Sequence, residues 1–176
     1  GSDPDTRARR RESVAAAAAS TFADLRAAHH LVVVSSAMVY GAWDNNPVPL
    51  TEDAVLRPDN TSRYASQLAA VEQMADDWRR AQPGRTVTVL RPAVTMAADG
   101  TSGLARALAA GMGQRFAVDD PPAQFLHLDD LADAVVLATR RRLDGVYNVA
   151  PDGSIPAASV RALAGARPRV QLPDRV

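Results

Sequence analysis

Apolar runs of two kinds alternate along this chain. The runs at residues 31–34, 86–90 and 145–150 are short, continuous and rich in β-branched residues, which predicts strands buried on both faces, as in a parallel sheet. Between the first two, the apolar positions of residues 64–82 recur at helical spacing, which predicts an amphipathic helix that stops at Pro83-Gly84. The pattern therefore predicts an α/β fold.

The remaining segments complete an alternating order of helices and strands. We expect one or two helices over residues 3–28, where an alanine run carries Phe22 and Leu25 at helical spacing. The second half predicts a Gly/Ala-rich loop at 93–103, a short helix at 104–111, a proline-broken stretch at 116–125, a helix from Leu131 to about Arg142 and, from 151 to 176, a loop, a short helix and a tail. Asp129 or Asp130 is predicted to cap the helix that follows them, because a carboxylate there accepts free N–H groups.

A polar segment, residues 42–60, separates the first strand from the main helix. Pro47, Pro49 and Pro58 remove the backbone donors that a helix or a central strand requires, so we expect a long loop. Loops of this length in compact domains are usually functional or disordered. Its expected position over the strand ends favours a cover on the substrate side, in which Trp43 either stacks on a substrate or packs down on the domain.

Composition limits the partners and the kinds of catalytic chemistry that we expect of this chain. The 20 basic and 20 acidic residues balance, and no apolar stretch approaches the roughly 20 residues of a membrane span, so we expect a cytoplasmic protein without nucleic-acid or membrane partners. Cysteine is absent and the three histidines lack metal-ligand spacing, so no metal site is predicted. All basic residues are arginines, which excludes lysine chemistry within this chain. The cluster of arginines at positions 7–11 is either a solvated helix face or a phosphate-binding patch.

Candidate site residues follow from the strand ends. Ligands of open α/β sheets bind outside the carboxyl ends of the strands, where Ser35 and Ser36 follow the first strand and Arg91-Pro92 ends the second. Tyr64 begins the helix between them. The alternative is that Ser36 is an internally bonded strand-end hydroxyl and Tyr64 an ordinary helix residue. A serine hydrolase is disfavoured, because no Gly-x-Ser-x-Gly turn surrounds Ser36.

Several of these segments, taken in order, resemble a known family. SSAMVYG at 35–41 followed by Tyr64, then LRP at 90–92, FLHLDDLADAV at 125–135 and GVYNVA at 145–150, is similar to the extended short-chain dehydrogenases/reductases, the NAD-dependent epimerase/dehydratase group. The resemblance covers residues 3–165, about the C-terminal two-thirds of a family member, and leaves 166–176 as a tail. It implies a Rossmann-like doubly wound parallel sheet that lacks the N-terminal cofactor-binding strands and carries a small substrate-side region.

The resemblance also implies a function. It predicts an NAD- or NADP-dependent oxidoreductase, epimerase or dehydratase acting on a nucleotide sugar or a small carbonyl or hydroxyl compound. Ser36 would hold the substrate oxygen and Tyr64 would exchange its proton, with Ser35, Arg91 and Pro92 beside the cofactor.

Two departures from the family pattern put catalysis in doubt. Leu68 replaces the lysine of Tyr-x-x-x-Lys, and no Gly-x-x-Gly-x-x-Gly turn is present. Arg91 is the better candidate to replace the missing ammonium near Tyr64. We therefore expect an inactive or impaired enzyme, a pseudoenzyme, or alternatively a non-catalytic binding or regulatory module.

The outer edge of the strand at 31–34 is expected to need a partner, because in the resembling family the cofactor half pairs there. An unpaired apolar strand edge is a liability that proteins cover or pair. We expect the cover to be the rest of a longer polypeptide, another copy of the chain in a homo-oligomer, or the helix predicted at 5–28.

Overall fold

The computed structural model describes residues 14–60, 62–97, 123–156 and 159. These residues form alternating helices and strands. In chain order the elements are helix α1 (Val14–Asp24), strand β1 (His30–Val34), a 3-10 helix (Ala37–Tyr40), helix α2 (Arg63–Arg80), strands β2 (Thr86–Pro92), β3 (Val94–Met96) and β4 (Phe125–His127), helix α3 (Leu128–Arg141) and strand β5 (Gly145–Val149).

The three predicted strands form one parallel sheet in the order β1-β2-β5. Val33 lies opposite Val89, and Val89 lies opposite Val146. Helices pack on both sides of this sheet, so the predicted α/β class and the partial Rossmann-like topology are confirmed.

One face of the sheet is covered by α1 and α2. Their packing surface is a cluster in which Ala75 and Trp78 of α2 meet Val87 and Val89 of β2, with Phe22 of α1 against it. The helical spacing predicted this stripe, since Leu68, Val71, Ala75 and Trp78 are all buried. This face holds the larger part of the apolar core.

Helix α3 covers the opposite face, over β1 and β2. Ala138 is its buried residue. Thr88 of β2 points to this side because side chains alternate along a strand, and it is fully buried, with its hydroxyl donating to the carbonyl oxygen of Leu143 at 2.5 Å. That hydrogen bond ties the end of α3 to the centre of the sheet.

The prediction of a loop at 93–103 is wrong for its first residues. Val94–Met96 forms strand β3, which pairs in parallel with β4 so that Val94 lies opposite Phe125. Strands this short are stabilised by a partner distant in sequence, and no local pattern reveals that partner.

The predicted cap of α3 is also wrong. Helix α3 begins at Leu128, three positions before the predicted Leu131, because β4 runs directly into it. His127 is the capping residue, and its Nδ1 accepts from the backbone N–H of Asp129 at 3.2 Å. Asp129 and Asp130 lie in the first turn, where their charges suit the helix dipole without making the cap.

Other predictions lie outside the described residues. They are the arginine cluster at 7–11, the helix at 104–111, most of the proline-broken stretch at 116–125 and the tail at 166–176. Within the described ranges, no helix has the length and apolar character needed to cross a membrane, and no group of three or more histidine, cysteine or acidic residues is placed to hold a metal ion.

Strand β1 lies at the edge of the sheet. Its inner side bonds to β2, as in the bond from the Ser35 N–H to the Leu90 carbonyl at 2.8 Å. By the alternation of the parallel register, the N–H groups of Val32 and Val34 point to the outer side of β1, where no described strand lies. Helix α1 packs on the face of the sheet and against α2, so the described part of the N-terminal helix does not pair this edge.

Candidate functional site

The first predicted site residue, Ser36, caps the 3-10 helix directly after β1. Its backbone is extended, with φ −159° and ψ 150°, and its Oγ accepts from the Met38 N–H at 3.2 Å. A hydroxyl that accepts one hydrogen bond keeps its own hydrogen and a second lone pair for another partner. The half-buried Ser36 hydroxyl can therefore still bind a ligand oxygen.

Tyr64 lies in the first turn of α2, and half of its surface (51%) is exposed. The helix is capped by Ser62, whose Oγ accepts from the Ala65 N–H at 3.3 Å. No hydrogen bond joins the Tyr64 and Ser36 hydroxyls. Tyr64 is therefore open to an external partner, and nothing inside the described chain holds its hydroxyl in place.

Leu68 lies one turn after Tyr64, on the buried side of α2. Its side chain is only 5% exposed and packs against Val39 and Tyr40 of the 3-10 helix. Ala37, Leu50, Ala54, Leu56 and Ala69 surround this contact. The position at which an ammonium would stand in a Tyr-x-x-x-Lys arrangement is thus occupied by an apolar cluster that joins α2 to the strand-end turn.

A buried ion pair lies beneath the same strand ends. Arg91, the second-last residue of β2, and Glu72, on the inner side of α2, are 5% and 7% exposed. Nη2 of Arg91 contacts Oε2 of Glu72 at 2.7 Å, and Nε lies 3.2 Å from each carboxylate oxygen. Burial alone would lower the pKa of Arg91, but its hydrogen bonds with Glu72 and Tyr40 raise it.

This ion pair is the centre of a polar network. Ser35 donates to Glu72 Oε1 at 2.5 Å, while Nη1 of Arg91 donates to the Tyr40 hydroxyl at 2.8 Å and to the Glu52 carbonyl at 3.1 Å. Tyr40 in turn donates to Oδ1 of Asn148 in β5 at 2.7 Å. The network joins α2, the residue that follows β1, strands β2 and β5, and the long loop.

The loop at 42–60 contains no helix or strand, as predicted, and it crosses the carboxyl ends of β2 and β5. Asn148 donates from its side chain to the Leu50 carbonyl at 3.1 Å and from its backbone to Oε1 of Glu52 at 2.8 Å. Glu52 thereby satisfies an N–H at the outer edge of β5. The loop is in a position to cover a ligand bound at the strand ends.

The base of this loop is closed around Gly41. Gly41 has φ 70°, and the Trp43 indole donates to the Arg57 carbonyl at 2.7 Å. A Cβ atom on Gly41 would collide with both of those groups. Trp43 is 43% exposed, and its indole is bonded within its own loop. Its stacking on a substrate stays a prediction.

A cavity of about 340 Å³ lies on the sheet face beside α2, and sequence reasoning did not predict it. The charged side chains that line it already have partners within the protein, because Arg79 pairs with Asp76 at 2.8 Å and Asp144 accepts from the Val87 N–H at 3.0 Å. The cavity reaches the strand ends only at Glu72 and Arg91, which pair with each other. We therefore place the candidate site at the strand ends.

A family model settles the affiliation. The model described as NAD dependent epimerase/dehydratase family matches residues 11–150, which is well over half of the chain. The chain belongs to the NAD-dependent epimerase/dehydratase family. This confirms the resemblance carried by SSAMVYG, LRP and GVYNVA.

Solved structures share the epimerase/dehydratase fold. An NAD-dependent NDP-hexosamine 5,6-dehydratase of tunicamycin biosynthesis superimposes with a TM-score of 0.69 at 22% identity, covering 86% of this chain and 52% of its own. The dTDP-glucose 4,6-dehydratase of Bacillus anthracis, solved with NAD, gives 0.68 at 18%, covering 85% and 50%. The UDP-N-acetylglucosamine 4-epimerase of Methanobrevibacter ruminantium, solved with UDP-N-acetylmuramic acid, gives 0.67 at 21%, covering 84% and 50%.

This epimerase/dehydratase chain spans about half the length of the solved structures that it resembles. No curated protein matches it significantly. The structural likeness therefore establishes the fold, while substrate and cofactor are matters for proposal.

The structure brings Ser35 and Arg91 together through Glu72, with Ser36 in the adjoining turn. The cofactor contacts expected for Ser35, Arg91 and Pro92, and the catalytic roles expected for Ser36 and Tyr64, stay predictions. The nitrogens of the Arg91 guanidinium contact Glu72, Tyr40 and the Glu52 carbonyl, so this side chain is held away from the opening.

Sequence reasoning missed the network partners Tyr40, Glu52, Glu72 and Asn148. One signal was available for Glu72, an acidic residue between Val71 and Ala75 on the apolar stripe of α2. A carboxylate on a buried helix face requires a cation or donors. Arg91, at the end of a buried strand, was the natural candidate.

Proposed function

We propose that this chain is the substrate-side half of an epimerase/dehydratase that binds a nucleotide sugar at the carboxyl ends of β1 and β2, and that its proton-transfer step is impaired. Ser36 would hold a sugar hydroxyl or carbonyl oxygen, and Tyr64 would face the same group. The observation that carries the proposal is the contact of Leu68 with Val39 and Tyr40. It joins the elements that bear the two hydroxyls and puts an apolar side chain where the family has its ammonium.

The impairment follows from the chemistry of the phenol. A tyrosine hydroxyl has an unperturbed pKa near 10 and needs a nearby positive charge to act as a base at neutral pH. Leu68 supplies none, and Arg91 is bound to Glu72. Binding without turnover is the function that this arrangement supports, in line with a binding or regulatory module.

The described residues do not fit a nicotinamide cofactor on their own. In the lysine position the side chain of Leu68 is buried in an apolar cluster, so it offers no donor to a ribose hydroxyl. The Bacillus anthracis dehydratase, which was solved with NAD, supports a nicotinamide cofactor by resemblance.

Two titrations test the proposed function. We expect calorimetry of this chain with NAD(H) or NADP(H) to give dissociation constants weaker than about 10 μM, a binding free energy of less than about 7 kcal/mol. UDP-N-acetylglucosamine should bind measurably and shift the amide resonances of residues 35–41, and Ser36→Ala should weaken that binding. Tight NAD(H) binding would contradict the assignment of this chain to the substrate side. Absence of any nucleotide-sugar binding would contradict the site.

We further propose that the outer edge of β1 is paired in the functional assembly, by another segment of a longer polypeptide or by a second copy of this chain. The N–H groups of Val32 and Val34 support this, because they point to the side of β1 on which no described strand lies. For the isolated chain we expect a native mass above that of a monomer and slow hydrogen exchange at Val32 and Val34. A stably folded monomer in which both amides exchange rapidly would refute the need for a cover.

A further inference from the structure

We propose that Glu72 and Arg91 are positioning residues, which fix the Ser35-Ser36 turn on one side and Leu50–Glu52 of the loop on the other. This inference rests on the proposed function, because it assigns the support of that same site. The two side chains touch neither hydroxyl of the predicted catalytic pair. Their role would be exerted through the residues that they hold.

The burial of the Glu72–Arg91 pair is the first observation that supports this role. Taking two charges out of water is costly, and apolar residues of similar volume often stabilise a fold at least as well as a buried ion pair. Stability alone therefore does not account for Glu72 and Arg91 at 7% and 5% exposure. Directional hydrogen bonds are what an apolar pair could not supply.

On one side, the hydrogen bonds of the Glu72–Arg91 pair hold the Ser35-Ser36 turn. Oε1 of Glu72 accepts from the Ser35 hydroxyl at 2.5 Å, while the Ser35 N–H donates to Leu90 beside Arg91. Ser35 is thus held by side chain and backbone together. Ser36 is the next residue, so the direction of its Oγ depends on this anchor.

On its other side, the Glu72–Arg91 pair is bonded to the long loop. Arg91 donates to the Glu52 carbonyl at 3.1 Å and to Tyr40, whose ring lies under the guanidinium at 4.9 Å. The Tyr40 hydroxyl donates a hydrogen bond to Asn148, which in turn donates to the Leu50 carbonyl and to the Glu52 carboxylate. A planar guanidinium can make these contacts simultaneously, and a lysine ammonium cannot.

The test uses three variants of the full chain. Glu72→Gln removes the negative charge of the pair, Arg91→Lys keeps the positive charge but removes the planar guanidinium, and the double variant Glu72→Leu/Arg91→Met replaces the pair by an apolar contact of similar volume. Asp76→Asn is the matched control, since it removes the two exposed ion pairs that Asp76 makes on the same helix, with Arg79 and with Arg80. The readouts are the midpoint of urea unfolding, the hydrogen-exchange protection of the backbone N–H of Asn148 and the affinity for UDP-N-acetylglucosamine.

We expect the double variant to keep a urea midpoint close to that of the parent chain. It should nevertheless lose at least tenfold in Asn148 protection and at least tenfold in affinity, while the Ala81 amide in the α2 cap and the Asp76→Asn variant stay unchanged. Should the single variants fail to fold, the double variant still decides. Parental Asn148 protection in a folded double variant would overturn the proposal. If the parent chain binds no nucleotide sugar, the proposed function fails, and the protection measurement still tests the positioning role.

Discussion

Replacing Leu68 by lysine is expected to lower the free energy of unfolding by roughly 3 kcal/mol, although it restores the family's Tyr-x-x-x-Lys pattern. The new ammonium would enter the apolar cluster around Val39 and Tyr40, one turn before Glu72, whose carboxylate is already bound by Arg91 and Ser35. An unpaired buried charge either unfolds its surroundings or loses its proton. We therefore expect no gain in NAD(H) affinity and no turnover. Urea unfolding followed by circular dichroism, with calorimetry of NAD(H), measures both.

Two control variants separate charge from shape in this experiment. Leu68→Met keeps the volume and should cost less than about 1.5 kcal/mol. Ser66→Lys places the same ammonium on the exposed side of α2 and should change stability by no more than about 0.5 kcal/mol. A Leu68→Lys variant as stable as Ser66→Lys, with tighter NAD(H) binding, would refute the burial of this position and reopen the catalytic assignment of Tyr64.

Substitution of Gly41 by alanine is expected to cost roughly 3 kcal/mol of stability. Its φ of 70° lies in the left-handed region, and the added methyl would collide with the Arg57 carbonyl and the Trp43 indole. The Trp43 side chain would have to leave its bond to Arg57, which opens the base of the loop. The indole N–H resonance of Trp43 should therefore lose its protection from exchange, whereas that of Trp78, in the core, should keep it.

Gly84 provides the matched control for Gly41. It also has a positive φ, 86°, but nothing lies within 4 Å of an added Cβ. Gly84→Ala should show only the backbone strain, about 1 kcal/mol. If the two alanine variants lose equal stability, the close approach at Gly41 does not exist in solution.

The main sheet and its longest helix could be predicted from the sequence because their signals are local. The β-branched runs at Val32 and Val87 and the apolar stripe of α2 each lie within a single element. The same holds for the long loop, where three prolines exclude regular structure. Family motifs then placed Ser36 at the end of β1.

What could not be predicted depends on contacts between distant residues. The pairing of β3 with β4 joins segments whose own patterns do not reveal a partner. The capping role of His127 arises because β4 enters α3 without a turn. Polar partners inside a core are specified by the assembled packing, which a linear pattern does not contain.

The hydrogen bonds of Asn148 also bear on how the molecule folds. They join the last strand to Tyr40 and Leu50 across 108 and 98 positions of the chain, whereas β1 and β2 are joined at His30 and Thr86 across 56. Closing a longer segment costs more chain entropy, and contacts between remote segments slow folding. The pairing of β1 with β2, and that of β2 with β5 between Thr88 and Gly145, can therefore precede the contacts of Asn148 with Tyr40 and Leu50. The loop over the strand ends acquires its shape in that final step, so a nascent chain holds its core before it holds a site.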